Sequence, residues 1–162
     1  MTMQLFSTVT VGSSGASSID WTSIPQTGKD LYVVLSWDGT SNGSFELDVQ
    51  MNGTTNTARR LFGTGTTVSS VAADQISIMD SDYPATNTFH SLSLYVPDYT
   101  KSAQHEFLSD SVVESNSTQN YGSYQVIVAG KNSSTSAITS LSFVSGYLLF
   151  AQYTTASLYI VS

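Results

Sequence analysis

The chain has 162 residues, a formal net charge of −7 and a pI near 4.3, with 49 serines and threonines and no cysteine. The lack of cysteine excludes disulfides and thiolate metal sites, and five basic residues are too few for sequence-independent binding to nucleic acid. An anionic membrane would repel such a chain, and no apolar run approaches the roughly 20 residues that span a bilayer. We therefore expect one domain over 1–162, with no nucleic-acid or membrane partner.

Short segments of alternating apolar and polar residues recur along the chain, separated by turn residues. The clearest is 45–52, and this period of two is typical of a half-buried strand. Segment 31–37 is more apolar and is predicted to form a central strand that pairs with 45–51 as a hairpin, because Asp38-Gly39 and Asn42-Gly43 suit tight turns. Further strands are predicted at 5–11, 75–79, 89–96, 106–113, 124–129, 138–144, 148–152 and 156–161.

The remaining segments contain many Gly, Ser, Thr and Asn residues and no helical pattern. Segments 63–70 and 116–120 are predicted to be long exposed loops. No window shows helical apolar spacing over three turns, so we expect little helix. About ten strands in one domain are typical of two packed antiparallel sheets, and the expected fold is an all-β, jelly-roll-like sandwich.

The two histidines are the candidates for acid–base catalysis. His90 shares one side of its strand with Leu92 and Leu94, so we expect it to be a structural residue. His105 is predicted to lie at a strand edge in contact with solvent. Neither lies in a Gly-x-Ser-x-Gly motif or a His-x-x-x-His pair. We expect no catalytic residues and no enzymatic activity, with a hydrolase built on His90 or His105 as an alternative.

The acidic residues are candidate calcium ligands. Asp80 and Asp82, together with the spaced Glu106, Asp110 and Glu114, could converge on an ion, but their spacing is not that of an EF-hand loop. Loop carboxylates more often solvate a protein, so no metal or cofactor is expected.

The aromatic residues and the single basic doublet are candidates for contacts with other molecules. Stacking on saccharide is open to Trp21, Trp37, Tyr83, Tyr95, Tyr99, Tyr121, Tyr147 and Tyr153, although most rings in a sandwich pack in the core or on a sheet. Arg59 and Arg60 form the basic doublet, and paired guanidinium groups in an acidic chain suit carboxylates. We expect Arg59 and Arg60 to lie at an inter-subunit contact.

Six segments, taken in order, carry a resemblance that covers most of the chain. They are Ser-Ile-Pro-Gln-Thr at 23–27, Asp-Leu-Tyr-Val at 30–33, Arg-Arg-Leu-Phe-Gly-Thr-Gly at 59–65, Ala-Thr-Asn-Thr-Phe at 85–89, Tyr-Val-Pro-Asp-Tyr at 95–99 and Ala-Ser-Leu-Tyr at 156–159. The ordered set resembles a group of small virion structural proteins of tailed bacteriophages. The resemblance implies a structural β-protein and supplies no catalytic residues.

Small β-sandwiches of this kind resemble capsid cement or decoration proteins, which bind the outer capsid surface and cross-link major capsid proteins. The resemblance implies the major capsid protein and further copies of this chain as partners, with a homotrimer preferred, and a location on the virion surface. Residues 1–6 lack a secretory signal, so synthesis in the host cytoplasm from Met1 is expected. The alternative is a tail-associated fibre or adhesin module that binds host-surface carbohydrate through the loop aromatics Tyr83 and Tyr121.

Overall fold

The computed structural model describes residues 2–40, 45–54, 56–64, 67–73, 75–79, 88–114, 123–132 and 134–162. Twelve strands and no helix occur in this part of the chain, so it contains no helix able to cross a membrane. The strands are β1 (Met3–Thr10), β2 (Ser18–Trp21), β3 (Asp30–Trp37), β4 (Phe45–Met51), β5 (Asn56–Thr64), β6 (Thr67–Ala73), β7 (Gln75–Met79), β8 (His90–Val96), β9 (His105–Glu114), β10 (Ser123–Asn132), β11 (Leu141–Ser145) and β12 (Thr155–Val161).

The strands form two antiparallel sheets. The large sheet has eight strands in the order β1-β12-β3-β8-β9-β10-β5-β6, and the small sheet has four in the order β2-β11-β4-β7. Inward-facing residues of both sheets belong to one core cluster, which includes Leu35 and Trp37 from β3 and Val49 and Phe143 from the small sheet. The prediction of an all-β antiparallel sandwich is confirmed.

The strand order explains the jelly-roll character of the fold. Without β5, β6, β9 and β10, two four-stranded sheets remain, β1-β12-β3-β8 and β2-β11-β4-β7. The chain then passes from one sheet to the other at every step except β4 to β7, which pair within the small sheet, and this is the double Greek-key arrangement of a jelly roll. The pairs β5–β6 and β9–β10 are insertions, and both join the same sheet. They double its width from four strands to eight.

The crossing of the chain between sheets corrects the predicted hairpin of 31–37 with 45–51. β3 pairs with β12 and β8, whereas β4 pairs with β11 and β7 in the other sheet. The Asp38-Gly39 segment therefore precedes a change of sheet, and local turn chemistry does not distinguish such a crossover from a hairpin.

Two other predictions of local structure are wrong, and a third cannot be compared with the described residues. Segment 63–70 is not a long loop, because β5 runs to Thr64 and β6 begins at Thr67, and the two strands pair at seven registered positions. Segment 148–152 forms no strand and contributes only bridges at Phe150. Segment 116–120 lies outside the described residues. The strand Ser18–Trp21 was not predicted, because four residues are too few to show alternation.

In strands β8 and β9 of the large sheet, buried residues alternate with more exposed ones. Along β9, Phe107 is 3 % exposed and Leu108 is 50 % exposed. Gly130 of β10 stands beside Phe107, and a Cβ at that position would lie 2.1 Å from the ring, so only glycine leaves room for it. One side of this sheet therefore packs on the core, and the other faces outward.

Candidate interaction surfaces

Both histidines lie in the fold as packed side chains. His90 is 1 % exposed, and its ring centroid is 4.7 Å from that of Trp37 in an edge-on arrangement. The inward position expected for His90 beside Leu92 and Leu94 is confirmed. Burial against an indole keeps the His90 ring out of contact with solvent, which fits a structural residue.

His105 corrects a prediction, because it is 2 % exposed and does not lie at a solvated edge. β9 is paired on both sides, with β8 and β10, and is therefore an interior strand of the large sheet. The ring Nε2 of His105 lies 3.0 Å from the carbonyl oxygen of Ser136, which fits an N–H donor there. His105 lies at an open cleft of about 300 Å³ that Asp98, Lys101 and Glu106 also line.

The acidic residues do not converge in the part of the structure that is described. Asp80 and Asp82 lie outside the described residues, and Glu114 has a described backbone position only, at the end of β9. Glu106 and Asp110 are exposed, four positions apart along β9. Within the described ranges, no three His, Asp or Glu side chains form a group that could hold a metal ion.

Arg59 and Arg60 occupy a strand rather than a loop. Both belong to β5, where Arg59 pairs with Ala129 and Ala72, and Arg60 pairs with Val128 and Val71. Their strand lies one position inside the edge strand β6 of the large sheet. Tyr83 and Tyr121, the loop aromatics expected for carbohydrate, lie outside the described residues.

A row of apolar and aromatic side chains crosses the outward side of the large sheet. The cross-strand register joins its members in sequence, and we call them the outer-face row: Leu5, Tyr159, Tyr32, Tyr95, Leu108 and Ala129. Leu5 and Leu108 are about half exposed, at 51 % and 50 %. Val34, Val112 and Ile127 are exposed on the same side. Cross-strand neighbours of this kind form a continuous surface, so the sheet presents an apolar band to its surroundings.

The middle of the outer-face row is held by a hydrogen bond to a buried carboxylate. Tyr95 donates its hydroxyl to Asp30 Oδ2 at 2.9 Å, and the backbone N–H of Asp98 donates to Asp30 Oδ1 at 2.9 Å. The hydrogen bond to Asp30 is the main cause that raises the pKa of Tyr95 above 10.0, with burial and the charges of Asp30 and Asp98 adding to it. The Tyr95 ring therefore has a fixed position at the surface.

A second surface lies at the end of the sandwich where β11 leads into β12. We call it the tip, defined by segments 11–17, 38–40 and 145–154. Tyr147 is 71 % exposed, Tyr153 is 68 % exposed and Leu149 is 41 % exposed. Between them, Phe150 is fully buried and makes backbone hydrogen bonds with Ala16 in both directions, at 2.7 and 3.2 Å. The exposed rings therefore stand on a segment that is anchored in the core.

Tyr147 and Tyr153 were among the eight aromatics available for stacking, but the sequence does not separate them from buried ones such as Tyr99. The composition of segment 148–152 predicts a strand, and a strand there would have placed Tyr147 and Tyr153 at the ends of a sheet strand. The signal that could have separated them is their context, since Gly146, Gln152 and Thr154 flank them and no alternation continues through either tyrosine.

Comparison with known proteins adds no relative. The chain matches no protein-family model, and no curated protein shows significant similarity to it. Function must therefore be argued from the two surfaces.

Proposed function

We propose that this chain is a virion structural protein of a tailed bacteriophage, a capsid cement or decoration protein that binds the outer capsid surface and cross-links major capsid proteins. The observation that supports this most is the outer-face row, an apolar band that crosses six strands of the large sheet. Monomeric proteins seldom leave a large apolar band uncovered, and such a band is typical of an interaction site.

The size of this surface suits a stable protein contact. Eight strands at the usual spacing extend about 34 Å across, and seven residues along each strand extend about 23 Å. Their product is on the order of 800 Å², which matches the area that one partner buries in a standard interface. The two inserted strand pairs are needed for this, because the basic jelly roll would offer about half of it.

The chemistry of the surface suits an adhesive role. Serine and threonine hydroxyls lie between the apolar residues, for example Thr8 beside Ser157 with their oxygens 2.8 Å apart. Asp110 is exposed in the same surface and accepts from Gln125 at 3.4 Å. Jelly rolls serve as capsid and lectin domains, so the fold is compatible with the proposal without deciding it. A cement protein acts through interface area, and many copies on one shell add their modest individual affinities.

Contacts between copies form the second part of the proposal. An acidic chain of net charge −7 repels itself unless cations of one copy meet carboxylates of another. Arg59 and Arg60 lie near the β6 edge of the large sheet and are two of only five cationic residues. We assign them to the contact between subunits of a homotrimer.

The decisive experiment measures association of the purified protein with phage particles that lack it. Leu108→Asp places a carboxylate in the outer-face row, and Leu149→Asp makes the same change at the tip, where the leucine is similarly exposed. We expect Leu108→Asp to abolish co-sedimentation and Leu149→Asp to leave it intact. Equal binding by both variants would refute the proposal. Cryo-electron microscopy of complete particles would then locate the protein directly, on the shell or elsewhere.

The alternative function is a tail-associated adhesin that binds host-surface carbohydrate. The exposed Tyr147 and Tyr153 favour it, because they supply aromatic faces at the surface of the described part of the chain. Averaged density for this sandwich on the tail, with none on the shell, would make the adhesin the preferred function.

A further inference from the structure

We propose that the tip is a binding site for a neutral saccharide, with Tyr147 and Tyr153 as its stacking residues and Leu149 as its apolar floor. The inference depends on the tip alone and applies whether the protein is attached to the head or to the tail.

The tip is rigid before any ligand arrives. Segment 145–154 is bonded through its backbone to three other parts of the chain. These bonds are Ser145 N to Ser17 O at 3.1 Å, Gly146 N to Glu46 O at 2.9 Å, Thr40 N to Leu149 O at 3.0 Å, Ala151 N to Asp38 O at 2.8 Å and Tyr153 N to Val11 O at 3.0 Å. A surface that is already ordered loses little conformational entropy on binding, which favours recognition of a small ligand.

Close packing between the segments adds to this rigidity. Gly15 has a φ of +70°, and a Cβ there would lie 2.9 Å from the carbonyl oxygen of Phe150 and 3.2 Å from side-chain atoms of Leu149 and Thr40. Only glycine permits this approach. Leu149 is therefore seated between segment 11–17 and Thr40, with part of its side chain still exposed.

Tyr153 provides an independent observation. Its φ is +71°, in the left-handed region that glycine and asparagine adopt most readily. A bulky residue there carries a cost in free energy, which packing could offset if the ring were buried, but the side chain is 68 % exposed. Exposed strain of this kind is typical of functional positions, where a side chain is retained for what it contacts.

The charge of the tip indicates which ligand it accepts. Segments 11–17 and 145–154 contain no charged residue, and segment 38–40 contains only Asp38, which is 6 % exposed. Glu46 packs against Gly146 beside the tip. No cation is present to hold a sulfate, phosphate or carboxylate, so an anionic ligand is disfavoured. Aromatic faces surrounded by hydroxyl and amide groups fit the apolar faces and hydroxyl rims of neutral sugar rings.

The size of the tip also excludes a protein as its main ligand. Three exposed apolar side chains supply far less than the roughly 800 Å² that a partner buries in a stable protein interface. They are sufficient to cover one or two sugar rings.

The test uses the full-length protein labelled with ¹⁵N and titrated with neutral oligosaccharides of glucose, galactose, mannose and N-acetylglucosamine, each to millimolar concentration. We expect at least one to shift amide resonances of segments 11–17, 38–40 and 145–154. Tyr147→Ala and Tyr153→Asn should each weaken binding by roughly tenfold or more. Met3→Ala is the control, because Met3 is an exposed apolar residue outside both the tip and the outer-face row, and it should leave the affinity unchanged.

Three outcomes would overturn the inference. They are the absence of shifts with every neutral oligosaccharide, shifts centred on the outer-face row, and binding only of sialylated or sulfated glycans. Tyr153→Asn introduces a residue suited to the local backbone, so loss of binding by this variant cannot be attributed to unfolding. Particle association is measured separately with Leu108→Asp, so failure at the tip and failure of the proposed cement function are distinguishable.

Discussion

The two ends of the sandwich use the same residue types in opposite ways. At the end opposite the tip, which we call the base and define by segments 22–29, 97–104 and 134–140, Tyr99 is fully buried. Its hydroxyl donates to the carbonyl of Pro25 and accepts the N–H of Gly28, and its carbonyl accepts the N–H of Ile138 at 2.8 Å. At the tip, Tyr147 and Tyr153 are exposed. At the base, a buried tyrosine joins three segments through hydrogen bonds, whereas at the tip the tyrosines are exposed to solvent.

The same contrast holds for residues with a left-handed backbone. At and beside the base, these positions are occupied by Ser23, Asn52 and Asp98, short polar residues that tolerate positive φ. At the tip, one such position is Gly15 and the other is Tyr153. Among the described residues, Tyr153 is the only bulky side chain at a positive φ, and local preference and structure disagree most there. Disagreements of this kind mark positions that a protein keeps for function.

The largest effect that tests this contrast is expected from Tyr99→Ala. Removing a fully buried ring should lower the free energy of unfolding by about 3–5 kcal/mol, whereas Tyr147→Ala should change it by less than about 0.5 kcal/mol. Chemical denaturation followed by circular dichroism measures both. Tyr99→Phe isolates the hydroxyl and should cost about 1–3 kcal/mol, because Gly28 and Pro25 lose a buried partner. Similar losses for Tyr99→Ala and Tyr147→Ala would remove the distinction between the two ends.

A smaller loss is expected from Asn52→Ala. Asn52 has a φ of +52°, donates from Nδ2 to Ala137 O at 3.0 Å and accepts the N–H groups of Thr139 and Ser140 at 2.9 and 3.2 Å. The variant loses these bonds and strains the backbone, so the free energy of unfolding should fall by about 1–3 kcal/mol. Asn52→Gly retains the backbone freedom and should lose less. Equal stability of Asn52→Ala and the parent protein would show that the network is dispensable.

At the tip, the corresponding change should have the opposite sign. Tyr153→Asn removes an exposed ring and places a residue that tolerates positive φ, so the free energy of unfolding should rise by about 0.5–1 kcal/mol. A thermal unfolding scan of the variant beside Tyr147→Ala measures this, because both variants remove a tyrosine and only one relieves backbone strain. A lower midpoint for Tyr153→Asn would mean that the Tyr153 ring stabilises the fold.

Much of the fold could be predicted, because alternation is a local property. β7 has the bounds that its alternation gives, and β8 differs by one residue at its start. The pairing partners of β3 and the burial of His105 depend on strands that are distant in the chain. Turn residues at Asp38-Gly39 suit a hairpin and a crossover alike, and the His105 ring contacts the carbonyl oxygen of Ser136, 31 positions further along the chain.

The candidate surfaces were harder to predict for the same reason. Tyr99 and Tyr147 both lie between strands, and neither is part of an alternating segment that would assign its side chain to one face. Their exposure is decided by which segments meet around them, the base in one case and solvent in the other. The outer-face row is likewise a product of register, since its members come from six different strands.

The smallest effect is expected at the base surface, from the ion pair between Asp98 and Lys101. Lys101 Nζ lies 2.9 Å from Asp98 Oδ1, and this contact is the main cause that lowers the pKa of Asp98 below 3.8, aided by the charges of Lys29 and His105 against a small opposing effect of burial. A carboxyl whose pKa is lower in the folded state stabilises the fold above its ordinary pKa, and this stabilisation is lost as the pH falls through the folded value. Lys101→Ala should therefore lower the thermal midpoint slightly at pH 7, and the difference between the two proteins should shrink as the pH falls through the folded pKa of Asp98. Because both side chains are solvent-exposed, added salt should reduce the difference at pH 7. A difference that stays the same as the pH falls would show that Lys101 acts through its aliphatic stem, by packing and not by charge.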